Sequence, residues 1–115
     1  LKKIDIVICT ALIPGKKAPV IIKEGMINNM KAGSIIYDLA AIQGGNTAHT
    51  KVDEVVVKNG VKIMGESNIL NKLPTSASNL YAKNVFNFVS NLYDKENNKI
   101  NINLEDEIIE KTLIK

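Results

Sequence analysis

Ser34-Ile35-Ile36-Tyr37-Asp38-Leu39, running straight into Ala40-Ala41-Ile42-Gln43-Gly44-Gly45-Asn46, is the stretch on which the fold turns. A short apolar, β-branched run that ends in a glycine-containing polar loop suits a parallel strand buried on both faces, with its loop at the carboxyl end. The upstream run Ile4-Asp5-Ile6-Val7-Ile8-Cys9, stopped by Pro14-Gly15, has the same character. Between the two, Ile22, Met26, Ile27 and Met30 recur at helical spacing ahead of Lys31-Ala32-Gly33, which predicts a crossover helix over residues 22–30. Strand, helix and strand make a βαβ unit, and such units build a right-handed, doubly wound α/β sheet. Downstream, Val55-Val56-Val57 and Val61-Lys62-Ile63-Met64 flank Asn59-Gly60, which reads as a strand pair around a tight turn or as two short strands in sequence. From Ser76 to Leu92, the positions Leu80, Val85, Phe88, Val89 and Leu92 form one stripe of a long amphipathic helix expected to cover the sheet. Residues 1–92 are therefore taken as one α/β domain. Residues 93–115 read as a polar connector and a tail toward a neighbouring domain, with helical apolar spacing returning at Leu104, Ile108 and Leu113.

Composition narrows the function classes. With 115 residues the chain is one modest unit that buries roughly two thirds of its unfolded surface. The +3 charge comes from lysines spread along the chain, with no arginine and only five aromatic residues, so nucleic-acid binding has no support. The single cysteine, Cys9, lies in an apolar run. It has no partner for a disulfide and no Cys/His set for zinc, which fits a reducing compartment and predicts no metal site. No apolar stretch approaches the roughly 18 to 20 residues that span a bilayer, so no membrane insertion of this segment is expected. Leu1 leads almost at once into a strand, which points to missing upstream sequence.

Ligands of open α/β sheets sit beyond the carboxyl ends of the strands. Three loops qualify here: Thr10 to Ala18, Ala40 to Thr50 and Glu66 to Pro74. The first is apolar and suits the flank of a flat ring, or is simply a turn held by Pro14-Gly15. In the second, Gly44-Gly45 either lets backbone approach a ligand or serves only as a turn. Asp38, at the end of a buried strand, needs donors and is expected to orient loop backbone. Asn68 can hydrogen-bond a ribose or an amide, or close an Asx turn. His49 has no neighbouring nucleophile and reads as a packing residue, Cys9 as a buried small apolar group, and Lys16-Lys17 as a solvated loop tip able to meet a phosphate. No Gly-x-Gly-x-x-Gly occurs anywhere, so the chain carries no phosphate-cradling turn of its own.

The runs Thr10-Ala11-Leu12-Ile13-Pro14-Gly15-Lys16-Lys17-Ala18-Pro19, Met30-Lys31-Ala32-Gly33-Ser34 and Asp38 to Asn46 closely resemble the NAD(P) transhydrogenase alpha subunit. The likeness extends through Leu73-Pro74-Thr75-Ser76-Ala77-Ser78 to about Leu92. Alanine dehydrogenase, in the same superfamily, shares the Pro-Gly and Gln-Gly-Gly loops but carries a catalytic Asp where this chain has Ile42. The resemblance implies the second half of a Rossmann-type doubly wound parallel sheet, truncated at the N-terminal side and contributing to NAD(H) binding. It implies a proton-translocating enzyme that passes hydride directly between NAD(H) and NADP(H), with NADP(H) on a partner subunit. Catalysis would then rest on orientation, with no catalytic acid, base or metal from this chain. Carried over residue by residue, Ala11 and Leu12 would border the nicotinamide, Leu39 and Ala40 would flank the cofactor, and Gln43 and Asn68 would offer polar contacts. The implied partners are the beta subunit, the remaining portion of the alpha subunit and a second alpha subunit. The implied location is peripheral, on the cytoplasmic side of the inner membrane. Ile42, Leu70 and Lys72 depart from the Glu, Pro and Arg that the family tends to carry. The alternatives are an alanine-dehydrogenase-like fragment and a non-functional relic of a split gene.

Overall fold

The computed structural model describes residues 1–114, which form two compact units, Leu1–Lys72 and a second from Leu73 onward. In the first unit, four strands make one sheet in the order β1-β2-β4-β3: β1 Ile6–Cys9, β2 Ile35–Asp38, β3 Val55–Lys58 and β4 Val61–Gly65. β1, β2 and β4 run parallel, and β3 returns antiparallel on β4. The Asn-Gly motif thus closes a true hairpin. Asn59 and Gly60 both take positive φ, 51° and 78°, the twist that a two-residue turn between right-twisted strands requires.

The register Cys9↔Asp38↔Gly65 and Val7↔Ile36↔Ile63↔Val56 assigns one face of the sheet to the core. There Cys9, Ile36, Val61 and Ile63 pack with Ile22, Ile27 and Met30 from the crossover segment. Ile36 and Ile63 are completely buried, and each contributes about 2 to 3 kcal/mol of transfer free energy. The opposite face is open, with Ile6 and Ile8 63% and 66% exposed and Val55 and Val57 also exposed. The expectation that these runs are buried on both faces therefore holds for one face only. On that face Tyr37 and Met64 of the central strands are half-buried, beside Glu66 and Lys72.

The crossover helix is shorter than its spacing suggests, α1 covering only Glu24–Ile27. Ile22 is drawn into a parallel bridge with Thr47 and Lys23 stays extended, so the helix cannot begin earlier. The spacing still selects the residues that are buried, since Ile22, Ile27 and Met30 all reach the core. A further helical turn, α2, spans Ile69–Lys72.

The second unit holds α3 Pro74–Leu92, the hairpin β5 Tyr93–Asp94 with β6 Lys99–Ile100, and α4 Glu107–Thr112. Proline at the start of α3 sits where a missing N–H costs nothing. Asp106 caps α4 by accepting from the backbone N–H groups of Ile108 and Ile109. No residue of α3 is buried, and Leu80, Tyr81 and Phe86 stand exposed. No described helix is long and apolar enough to cross a membrane.

Candidate functional site

The loops that follow β1 and β2 are joined by one buried side chain. Asn46 accepts from the Ala11 N–H through Oδ1 at 2.9 Å, and through Nδ2 it donates to the Ala11 and Pro19 carbonyls, each at 2.9 Å. Its own carbonyl accepts from the N–H groups of Ile21 and Ile22. The 10–22 loop is thereby clamped to the 39–50 loop at the carboxyl ends of β1 and β2. Asp38 sets the second loop in turn. It is completely buried, its Oδ1 accepts from Ala40 N–H at 2.9 Å, and its Oδ2 accepts from Asn46 N–H and Thr50 Oγ1, both at 2.6 Å. Since Thr50 donates to Asp38, its oxygen receives the Thr47 hydroxyl at 2.7 Å, and Thr47 receives the His49 backbone N–H. The chain of donors ends on one buried carboxylate, which offsets its desolvation.

Asp38 therefore orients loop backbone as its place at a strand end suggests. The double glycine serves packing. A Cβ on Gly45 would lie 2.4 Å from Thr50 Cβ and 2.9 Å from Asp38 Oδ2, so glycine is what allows Thr50 to reach the carboxylate. The N–H groups of Gln43, Gly44 and Gly45 all close onto the Ala40 or Ala41 carbonyls, which leaves the turn no free donor for a ligand.

The loop after β4 is tied to the same end of the sheet. Glu66 N–H donates to the Asp38 carbonyl, and the Glu66 side chain gathers three donors: Tyr37 Oη at 2.8 Å, Asn68 N–H at 2.9 Å and the Lys72 ammonium. The Lys72 contact, then the Asn68 amide and the Tyr37 hydroxyl, hold the Glu66 carboxyl down at about 2. The same contacts push the Tyr37 phenol and the Lys72 ammonium above their ordinary values. Beside them is a cavity of about 240 Å³, bordered also by Asp53, Val55 and Met64.

The residues singled out from sequence fall at this end of the sheet. Ala11 is half-buried under Asn46, Leu12 is exposed, and Leu39 is half-buried with its N–H on the Cys9 carbonyl. Ala40 is fully buried. Gln43 is half-buried, its carbonyl taking the Ala18 N–H while its Oε1 is buried without a donor. Asn68 is exposed and folded back on Glu66. His49 faces Glu24 at 3.5 Å and no nucleophile. Burial, and secondarily the Asp38 carboxylate, push the Cys9 thiol up to about 11, so it is no thiolate at neutral pH. No group of acidic, His and Cys residues among those described could hold a metal ion. Sequence reasoning passed over Asn46 as the clamp, together with Thr50 and the Tyr37-Glu66-Lys72 cluster. Only the placement of Asn46 in a strand-end loop after Gly-Gly hinted at the first.

Three parallel strands with their loops knotted at the carboxyl ends define a Rossmann-like α/β unit. The chain belongs to the alanine dehydrogenase/PNT C-terminal domain family, whose model matches residues 1–115. It is 46% identical over 114 residues to an NAD(P) transhydrogenase subunit alpha protein of Rhodospirillum rubrum, covering 99% of this chain and 30% of that protein. It is 39% identical over 83 residues to the alanine dehydrogenase of Staphylococcus haemolyticus, covering 68% of this chain and 22% of that protein. The crystal structure of transhydrogenase from Sinorhizobium meliloti superposes with a TM-score of 0.65 at 45% identity, covering 76% of this chain and 26% of that one. The chain thus spans less than a third of the length of these relatives.

Proposed function

We propose that this chain is the portion of a transhydrogenase alpha subunit that forms one wall of its NAD(H) site, and that it acts in direct hydride transfer between NAD(H) and NADP(H). The observation that supports this best is the clamp itself, because Asn46 fixes two strand-end loops at the carboxyl ends of β1 and β2, where ligands of such sheets bind. Ala11 and Leu12 border the nicotinamide on one side and Leu39 on the other, with Ala40, fully buried, supporting the second loop from beneath. Gln43 and Asn68 supply polar contacts to the cofactor. NAD(H), when bound, supplies the hydride. The chain's residues orient the ring and keep water from it, so no side chain need act as acid or base. NADP(H) sits on the beta subunit, and the rest of the alpha subunit together with a second alpha copy completes the assembly. The assembly is peripheral to the cytoplasmic face of the membrane that houses the proton path. The domain extends over residues 1–92, with 93–115 leading toward a neighbour.

An alanine-dehydrogenase-like activity is less well supported, since Ile42, 65% exposed beside Gln43, brings no carboxylate to this loop. The test is fluorescence titration with NADH of this polypeptide, alone and mixed with the remaining portion of a transhydrogenase alpha subunit. Binding that needs both pieces supports the reading. Folded protein that binds in neither case removes it and leaves a relic.

A further inference from the structure

We infer that Thr50 is a positioning residue for hydride transfer: its hydroxyl pins the Asp38 carboxylate that sets both strand-end loops, so it governs the orientation of the nicotinamide more than the affinity for it. The inference rests on the NAD(H) reading for the identity of the ring, whereas the hold of Thr50 on the two loops does not depend on it.

Asp38 ends β2 completely buried, and its three donors come from both ends of the 39–50 loop. Ala40 N–H lies on Oδ1 at 2.9 Å, and Asn46 N–H and Thr50 Oγ1 lie on Oδ2 at 2.6 Å. Of these three donors only Thr50 is a side chain, and its bond has the short length of a hydroxyl on a carboxylate. The Thr47 hydroxyl donates to Thr50 and itself accepts the His49 N–H, so the whole chain of donors points toward Asp38. The fit around Thr50 is close. A Cβ on Gly45, which has φ of 79°, would lie 2.4 Å from Thr50 Cβ and 2.5 Å from Cγ2, so the threonine fills the space that the glycine leaves.

Asp38 Oδ2 is also where the second loop is joined to the first. It holds the N–H of Asn46, whose side chain binds the Ala11 N–H, the Ala11 carbonyl and the Pro19 carbonyl, each at 2.9 Å. A shift of Asp38 thus moves Ala40 through one oxygen, and Asn46 with Ala11 through the other. The side chains of Ala11, Leu12, Leu39 and Ala40 are apolar and hold a ring by no directed bond, so the backbone of these loops dictates its angle. Removal of the Thr50 hydroxyl leaves a buried carboxylate short of one donor and loosens both loops together, yet deletes no group that touches the cofactor. Hydride transfer is sensitive to displacements on the order of 1 Å, whereas apolar contact is spread over many atoms and changes little.

The test measures the transhydrogenation rate and the NADH Kd of the chain assembled with the remaining portion of the alpha subunit and the beta subunit, together with amide exchange at Ala11 and Asn46. In Thr50→Val, which keeps the shape and removes the hydroxyl, the maximal rate should fall roughly five- to tenfold while the NADH Kd stays within about twofold. The Ala11 and Asn46 amides should exchange about tenfold faster, the scale of one lost hydrogen bond. Thr50→Ser should restore rate and protection. Ile36→Val, a change in the sheet core, should lower stability and leave the rate unchanged. If Thr50→Val does not assemble, Thr47→Val decides the same question, since it withdraws only the donor behind Thr50 and should lower the rate about twofold with the Kd unchanged. An unaltered rate, an equal loss in Thr50→Ser or in Ile36→Val, or a loss of NADH affinity as large as the loss of rate would overturn the assignment. NADH binding with unaltered rate and exchange in Thr50→Val removes the positioning role alone. An assembly that does not bind NADH removes the NAD(H) reading and the positioning role together, and faster Ala11 exchange in its Thr50→Val form then leaves Thr50 as a loop-holding residue only.

Discussion

Asn46 carries more of the site than any other single residue. Its three side-chain hydrogen bonds satisfy one donor and two acceptors of a loop otherwise tied to its neighbour by backbone bonds such as Ala18 N–H to the Gln43 carbonyl. Asn46→Ala strands these groups, and at about 1 to 3 kcal/mol for each buried orphan, less what water recovers, the loss should come to about 2 to 4 kcal/mol in urea unfolding. The amides of residues 10–19 should lose exchange protection first. A loss below about 1 kcal/mol would show that the loops hold together without the clamp. Glu66 makes a second residue-scale prediction, through pH. Its carboxyl is held at about 2 against an ordinary value of 4.5, so the cluster's contribution is fully present above about pH 4.5 and fades as pH falls toward 2. The stability difference between the wild type and Glu66→Gln should therefore be largest above pH 5 and shrink on acidification. A difference independent of pH would mean that charge is not what holds Tyr37, Asn68 and Lys72 together.

At the scale of elements, strand parity governs what substitution costs. Ile63 on β4 lies between Ile36 and Val56 on the buried face, whereas Val57 on β3 points to the open one. Ile63→Ala should cost about 3 kcal/mol and Val57→Thr less than about 0.5 kcal/mol, measured as shifts in the denaturant midpoint. Comparable costs would show that the second face is covered in solution. The strands and the hairpin were legible in the sequence because β-branched runs and Asn59-Gly60 act locally. The span of α1 was not, because Ile22 gives up the helix for a bridge to Thr47, a partner that no local pattern reveals. The Asn46 clamp was hidden for the same reason, as its partner Ala11 is 35 residues away. The β5-β6 hairpin escaped notice because each strand is two residues long and its turn, with Asn98 at positive φ, reads as a polar connector. Asp38 could be read because a carboxylate ending an apolar strand must find donors wherever the chain goes next.

Across the whole molecule, burial is distributed very unevenly. Cys9, Ile22, Ile27, Met30, Ile36, Val61 and Ile63 form one core within residues 1–72, while Ile109 is the only buried hydrophobic residue among those described after Leu73. Most of a helix's stability in a protein comes from packing an apolar face, so α3, which has no buried residue, should open readily. Local opening free energies follow buried apolar contact, and the two units should therefore differ in native-state hydrogen exchange. The amides of Ile36, Tyr37 and Ile63, in the central strands β2 and β4, should exchange only by global unfolding. Those of α3 should exchange orders of magnitude faster, with a shallow dependence on denaturant that reports local opening. If both sets exchange at one rate with one steep denaturant dependence, residues 73–114 share a cooperative core with the sheet, and the open sheet face and the bare α3 stripe are not both free in solution. If α3 becomes protected only when the remaining portion of an alpha subunit is added, its stripe is an assembly surface whose stability comes from the partner.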